Sequence, residues 1–296
     1  PANTPGVKRG TAALLGPKGR ATFRAVRRLS VTSLVPRTVR KRSSTLRRFL
    51  LSLLPVVLLA PAADLGAQVP SPRDVLGYGL GDRFTTPTEV TEYARRLAEA
   101  SDRVGRRVYG RTSEGRPLQL LVISRPEHLE GLDGILERNR RLTDPSLGGE
   151  EAAEIARSNP AVAWFTYGVH GDETASTEAA LWTAYDLATA TGGTASVLDS
   201  AVVVMDPMAN PDGRGRYVSW YRSTRGEEPN PRPESREHHP RWPSGRYNHH
   251  LFDLNRDWAF ATQPETRARL REWRQWNPQV HVDFHEMSWR SSYFFF

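Results

Sequence analysis

Apolar residues along this chain follow two rhythms. Over Thr88–Arg103, "TEVTEYARRLAEASDR", residues Val90, Tyr93, Ala94, Leu97 and Ala98 recur at three- and four-residue spacing. That spacing predicts a helix with one buried face, and Thr86 before Pro87 supplies its start. "RVYGRTSEGRPLQLLVIS" alternates on either side of "SEG" and predicts a hairpin. Residues 129–142 and "GGEEAAEIARS" predict two helices. Ala161–Val169 predicts a buried strand, and Thr174–Ala190 a helix rich in Ala and Leu. "SAVVVMD" (200–206) is a continuous apolar run, suited to a strand covered on both faces. Pro264–Trp276 predicts a helix with Leu270, Trp273 and Trp276 on one side, and "QVHVDFHE" (279–286) a further strand. Residues 68–85 read as an extended linker. Residues 207–257, rich in Pro, Gly, Arg and His, read as a long loop, and loops of that length are usually functional or disordered. Strands alternating with helices predict an α/β fold with a mixed, mainly parallel sheet flanked by helices.

Composition changes the picture in two places. The 296 residues are 38% hydrophobic and 25% charged, a globular balance. The net charge of +8 is local: residues 1–48 hold 13 of the 41 Lys and Arg and no acid, and all three lysines lie there. Residues 68–296 carry 28 basic and 32 acidic residues, so a nucleic-acid partner is not expected. Arg47 and Arg48 precede "FLLSLLPVVLLA" and then the small residues of "PAADLGA". This order describes a secretory signal peptide at about 41–67, with cleavage after Ala67 or near Ala62. Its apolar run is 12 residues, and a membrane span needs about 20. No stable membrane span is therefore expected, and the mature protein is expected to be secreted or periplasmic. The competing readings are an N-terminal anchor and a spurious upstream start. The chain has no Cys, which excludes disulfides and thiolate metal sites.

Candidate chemistry sits at strand ends. In open α/β sheets, sites form beyond the carboxyl ends of strands. His170 closes the 161–169 strand, Glu173 follows at the start of the next helix, and His285 closes the last strand. Two imidazoles and one carboxylate leave a fourth position open, the ligand set of a catalytic zinc. Such an ion lowers the pKa of its water from ~16 towards ~7 and polarises a carbonyl under attack. "HGDE" alone is weak; "NPDGR" (210–214), "DLNRDW" (253–258) and "VDFHE" (282–286), following in order, strengthen it. His281, on the same strand, reads as structural. His238, His239, His249 and His250 read as a solvated loop cluster, and Trp273 and Trp276 as core.

With these motifs, residues from about Thr86 to Glu286 resemble the zinc carboxypeptidase family of the carboxypeptidase A and B type. The resemblance implies an α/β/α sandwich and one Zn²⁺ on His170, Glu173 and His285. It implies that Asn255 and Arg256 hold the terminal carboxylate of a peptide or protein substrate, and that Asp253 orients the first ligand histidine. Arg222 in "WYRSTR" matches the arginine that stabilises the oxyanion, with Arg225 close by. Asp172 stands where digestive members often carry Arg, so their substrate preference does not transfer. The family's general base is a glutamate well downstream of the third ligand. Glu286 is rejected for that role because a strand neighbour points to the opposite face. Residues 86–296 are thus expected to form the N-terminal part of a catalytic domain, incomplete at the C-terminus and inactive alone. The expected function is metal-assisted hydrolysis of C-terminal peptide bonds. The rivals are a zinc deacylase of N-acyl amino acids and a non-catalytic binding module.

Overall fold

The computed structural model describes residues 68–287. The basic leader and the signal sequence assigned to 1–67 lie outside them. Segment 68–85, expected to be extended, contains a helical turn, α1 (Pro72–Leu76), closed by a capping box between Ser71 and Asp74. Val69, Val75 and Leu76 pack on the core, so this stretch is part of the folded body. Helix α2 (Pro87–Ala100) starts with a capping box between Thr86 and Glu89 and buries Val90, Tyr93, Ala94 and Leu97, as its spacing predicts.

Strands β1 (Val104–Arg111) and β2 (Pro117–Ile123) form the antiparallel hairpin. Helices α3 (Pro126–Glu130), α4 (Leu132–Arg141) and α5 (Gly149–Ser158) lead to β3 (Ala161–Tyr167). Then come α6 (Thr174–Ala188), α7 (Gly192–Leu198), β4 (Ala201–Asp206), α8 (Pro211–Thr224), α9 (Pro264–Trp276) and β5 (Val280–Phe284). The sheet order is β1-β2-β4-β3-β5. β4, β3 and β5 run parallel, while β2 pairs antiparallel with β4, so the sheet is mixed as expected.

Alternating strand residues feed two cores. On one face Val90, Leu97 and Leu181, from α2 and α6, pack with Leu121, Met205 and Tyr167. On the other, Ile135 of α4 and Ala268 and Trp276 of α9 pack with Leu120, Trp164 and Val204. Helices therefore cover both faces, and Trp276 and Trp273 belong to this second core. Among the described residues, no helix is long and apolar enough to cross a membrane.

The expected loop 207–257 is not all loop, because α8 occupies its first third. "NPDG" reads as a turn, but Asn210 caps the helix by accepting from the Gly213 N–H, with Pro211 at the first helical position. The buried face of α8 is Pro211, Asp212, Gly213, Arg214 and Val218. That face is too polar to show an apolar period, which is why the pattern misses it. Arg214, 1% exposed, donates to Glu178 of α6 at 2.6 Å and to the carbonyls of Thr85 and Thr174. One satisfied buried ion pair thus ties α8, α6 and the lead-in to α2 together. Glycine is needed at 171 and 213 for close approach. A Cβ at Gly171 would run into the backbone of Gly213 and Arg214, and one at Gly213 into the carbonyl of Gly245.

The end of the long loop is held by Asp257, the acid of "NRDW". Its Oδ1 accepts from the Thr262 N–H (2.9 Å) and hydroxyl (2.6 Å), and its Oδ2 from the Gln263 N–H (2.9 Å). Burial alone would raise its pKa, but these hydrogen bonds outweigh it and hold the carboxyl below its usual 3.8. A depressed carboxylate contributes stability above its unfolded pKa and loses it as pH falls through the folded one. Asp257→Asn sets an NH₂ against one of these donor groups. It should lower the unfolding free energy by about 1–3 kcal/mol at pH 7. Denaturant titrations should show the gap to the parent protein closing in strong acid; a gap that does not depend on pH would contradict this role.

Candidate metal centre

The parallel pairing of β3 and β5 sets Tyr167 opposite Phe284, so both chains leave the sheet on the same side. His170 lies just beyond β3 and His285 directly after β5, and their rings come to 4.9 Å between centroids. Glu173, at the N-terminal cap of α6, reaches between them. Its Oε1 is 2.6 Å from His170 Nδ1 and its Oε2 3.1 Å from His285 Nδ1. One donor atom from each of the three residues lies within 4.8 Å of the other two. His170 is buried and His285 exposed, so the cluster opens towards solvent on one side.

Each imidazole is held from behind by a carboxylate. His170 Nε2 is 3.1 Å from Asp253 Oδ1, and His285 Nε2 is 3.2 Å from Asp283 Oδ2. Both Nδ1 atoms therefore face Glu173 while both Nε2 atoms face an acid. Metal-ligating histidines typically show this division, and the donor set of two imidazoles and one carboxylate suits zinc. On that chemistry, the residues present fit the ion.

The local charges agree. Burial would raise the pKa of Glu173, but hydrogen bonds from His170, His285 and the Glu286 N–H lower it to about 2. Hydrogen bonds to Asp283 and Glu173 raise His285 to about 10, against the opposing effect of burial. Two carboxylates thus flank His285, an environment that favours a cation.

Other residues singled out in the sequence fall in different places. Asn255 and Arg256 form a short 3₁₀ turn, Leu254–Arg256, capped by Asp253, whose Oδ1 accepts from the Asn255 N–H at 2.9 Å. They therefore sit directly beside Asp253, the carboxylate behind His170. The Arg256 side chain is exposed and bonds only the Asn255 carbonyl among the described residues. Arg222 is not brought to the cluster. α8 carries it to the Phe84 carbonyl (3.1 Å) and Glu89 (3.3 Å) in the first turn of α2. Arg225 bonds the carbonyls of Gly226 and Glu227. The guanidinium that does reach the cluster is Arg246. Its Nε and Nη2 lie 3.0 and 2.9 Å from Asp253 Oδ2, and its Nη1 lies 3.4 Å from His170 Nδ1. The sequence carries no signal for Arg246 beyond its place in the long loop. Asp283 was legible: two residues before His285 on a strand puts it on the same face.

His281 is structural, with Nε2 3.2 Å from the Thr166 hydroxyl and its ring beside Trp258. His238 and His239 bond loop carbonyls. His249 joins Glu114 and Asp212 in a second group of possible ligands. Arg116 already bridges both of those carboxylates, and Asp212 also accepts from Thr112, so this group pins the β1–β2 turn to α8. Glu286 accepts from the Ser176 N–H of α6 at 3.2 Å.

No curated protein sequence matches the chain. Among solved structures, carboxypeptidase A from Helicoverpa armigera is 16% identical, with a TM-score of 0.46, and the match covers 70% of this chain and 47% of that one. Bovine thrombin-activatable fibrinolysis inhibitor is 15% identical with a TM-score of 0.43, covering 70% and 62%. A metallo-carboxypeptidase from Pseudomonas aeruginosa is 18% identical with a TM-score of 0.40, covering 67% and 39%. The chain spans less than two thirds of the length of each. The family description "zinc carboxypeptidase" matches residues 90–295, more than half of the sequence. The chain belongs to the zinc carboxypeptidase family.

Proposed function

We propose that the protein is a zinc-dependent hydrolase that removes amino acids from the C-termini of peptides or proteins, with one ion held by His170, Glu173 and His285. The observation that carries this reading is the convergence of those three donor groups at the carboxyl ends of adjacent parallel strands. When bound, zinc supplies Lewis acidity towards the scissile carbonyl and activates water near neutral pH. Asp253 fixes the His170 ring. Asn255 and Arg256, on the turn that follows Asp253, take the substrate's free carboxylate. A guanidinium fork suits a carboxylate, and a neighbouring amide adds donors. Holding that carboxylate at a fixed distance from the cluster confines cleavage to chain ends. Arg246 takes the part that the sequence motif gave to Arg222. Two of its nitrogens are anchored on Asp253 while Nη1 faces the ligand atoms, where it can donate to an oxygen that gains charge. The composition of the leader supports export to a secreted or periplasmic location.

Two experiments test this function. After loading and dialysis, the parent chain should retain about one zinc per chain. Removing a ligand in Glu173→Ala or His285→Ala should weaken affinity at least ~100-fold, and Arg222→Ala should leave it unchanged. Equal retention by all variants would remove the cluster from consideration. Second, the zinc-loaded chain should bind a peptide with a free C-terminal carboxylate at least ~10-fold more tightly than its C-terminal amide. Arg256→Ala should erase that preference. Calorimetry showing equal affinity for acid and amide would refute the carboxylate clamp.

A further inference from the structure

A row of polar side chains crosses the sheet beneath α9. Thr166 on β3 is registered with Asp206 on β4 and with Asp283 on β5. Paired residues on neighbouring strands share a face, so the three side chains line one face at intervals of about 4.8 Å. The face is that of Trp164, Val202 and Val204, which α9 covers. Asp206 is fully buried and accepts from the Tyr109 hydroxyl at 2.6 Å.

Into this layer α9 inserts Arg269, also fully buried. Its guanidinium lies 4.5 Å from the centroid of the Trp258 ring. Among the described residues, none of its three nitrogens has a hydrogen-bond partner. Asp283 is divided: Oδ2 holds His285 Nε2 at 3.2 Å, while Oδ1 is buried and has no partner among the described residues. Arg269 and Asp283 both act electrostatically on Asp206 and on His281, so the two charges share one buried region. A buried charge is costly unless compensated, and here a cation lacking partners accompanies a carboxylate with one oxygen to spare. Two other acids compete as countercharge: Glu265, one turn earlier on α9, also has an unpartnered buried oxygen among the described residues, and the buried Asp206 has its pKa raised by burial and lowered in part by the charge of Arg269.

We propose that Asp283 is a positioning residue that fixes the ring of His285, as Asp253 does for His170, and that Arg269 is the buried countercharge that holds the Asp283 carboxylate in that role. This rests on reading His170, Glu173 and His285 as a metal centre. An imidazole that offers Nδ1 to a cation must carry its proton on Nε2, and Asp283 accepts that proton's hydrogen bond. It thereby selects both the tautomer and the ring angle. Loss of such an outer carboxylate typically weakens metal binding 10–100-fold. Arg269 in turn supplies positive charge on the inner side of that carboxylate, without a direct ion pair to it among the described residues. The centre is then braced through β5 into the core rather than only through the surface loop that carries Asp253.

The test is the zinc dissociation constant of the full chain, measured by competition with a chromophoric chelator. The variants are Asp283→Asn, Asp283→Glu, Arg269→Met, the combination of Asp283→Asn with Arg269→Met, and His285→Ala. Thermal unfolding of each metal-free protein is followed alongside. Asp283→Asn should weaken zinc by about 10–100-fold and also lower the metal-free unfolding midpoint, because Arg269 loses its countercharge. Asp283→Glu, which keeps the carboxylate, should recover part of the zinc affinity, which a merely structural residue would not do. Arg269→Met should weaken zinc as well, and the double variant should be no weaker than Asp283→Asn, because both act through one carboxylate. If Arg269→Met does not fold, Arg269→Lys keeps the charge without the fork and is read in the same cycle. Zinc affinity of Asp283→Asn within ~3-fold of the parent, with His285→Ala weakened at least ~100-fold, overturns the role of Asp283 alone. Additive losses assign Arg269 to Glu265 or Asp206 and overturn the second half of the proposal. A parent chain that binds no zinc, or His285→Ala binding as tightly as the parent, removes the underlying metal centre instead.

Discussion

The register between β3 and β5 is the constraint on which the rest depends. Tyr167 faces Phe284 across the pair, and their rings stack with centroids 4.1 Å apart. That contact locks the carboxyl ends of two strands that are more than a hundred residues apart in sequence. A slip of one residue would turn every β5 side chain to the other face. His285 would leave His170, and Asp283 would leave the layer beneath α9. The proposed centre therefore rests on the stacking of two aromatic rings outside it.

Charge is arranged around that constraint in alternating shells. Two imidazoles and Glu173 form the centre. Asp253 and Asp283 stand behind the imidazoles. Arg246 backs Asp253 at the half-exposed side, and Arg269 lies on the buried side of the sheet, in the layer of Asp283. The same logic appears away from the site, where Arg214 and Glu178 join three segments and Arg116 bridges Glu114 and Asp212. At Asp253, Glu178 and Asp212 the carboxylate meets a guanidinium directly, as a low-dielectric interior favours; Asp283 and Arg269 share a layer without such a contact. Gly171 of "HGDE" and Gly213 of "NPDG" belong to this assembly, since the loop from His170 to Glu173 and the start of α8 touch backbone to backbone. The motifs that stand apart in the sequence are neighbours in the fold.

Much of this was legible in the residues, and the limits have physical causes. The apolar patterns of 88–103, 161–169 and 200–206 reported real elements because each buries apolar residues. Helix 264–276 formed as well, but it buries Glu265, Thr266, Arg269 and Glu272 beside Ala268 and Trp276, and Leu270 is only part-buried. The three candidate ligands were legible because parallel strands present their carboxyl ends on one side. Helix α8 was hidden because its buried face is made of Gly, Asp and Arg, satisfied by partners from elsewhere. Arg222 matched a motif, but the helix carrying it turns the side chain towards Glu89, a contact with no local trace in sequence. Arg246 was missed for the converse reason: its meaning lies wholly in which carboxylate the loop folds against. Local pattern records what a segment buries, and it is silent on long-range polar partners.

The most direct measurement on the central claim is zinc K-edge X-ray absorption of the chain loaded with one equivalent of the metal. The predicted shell has two imidazole nitrogens and carboxylate oxygen at about 2.0–2.2 Å, with no sulfur. It should lose one imidazole in His285→Ala. A shell without imidazole scattering, or one that is unchanged when His285 is removed, would contradict the convergence of these three side chains on a single ion.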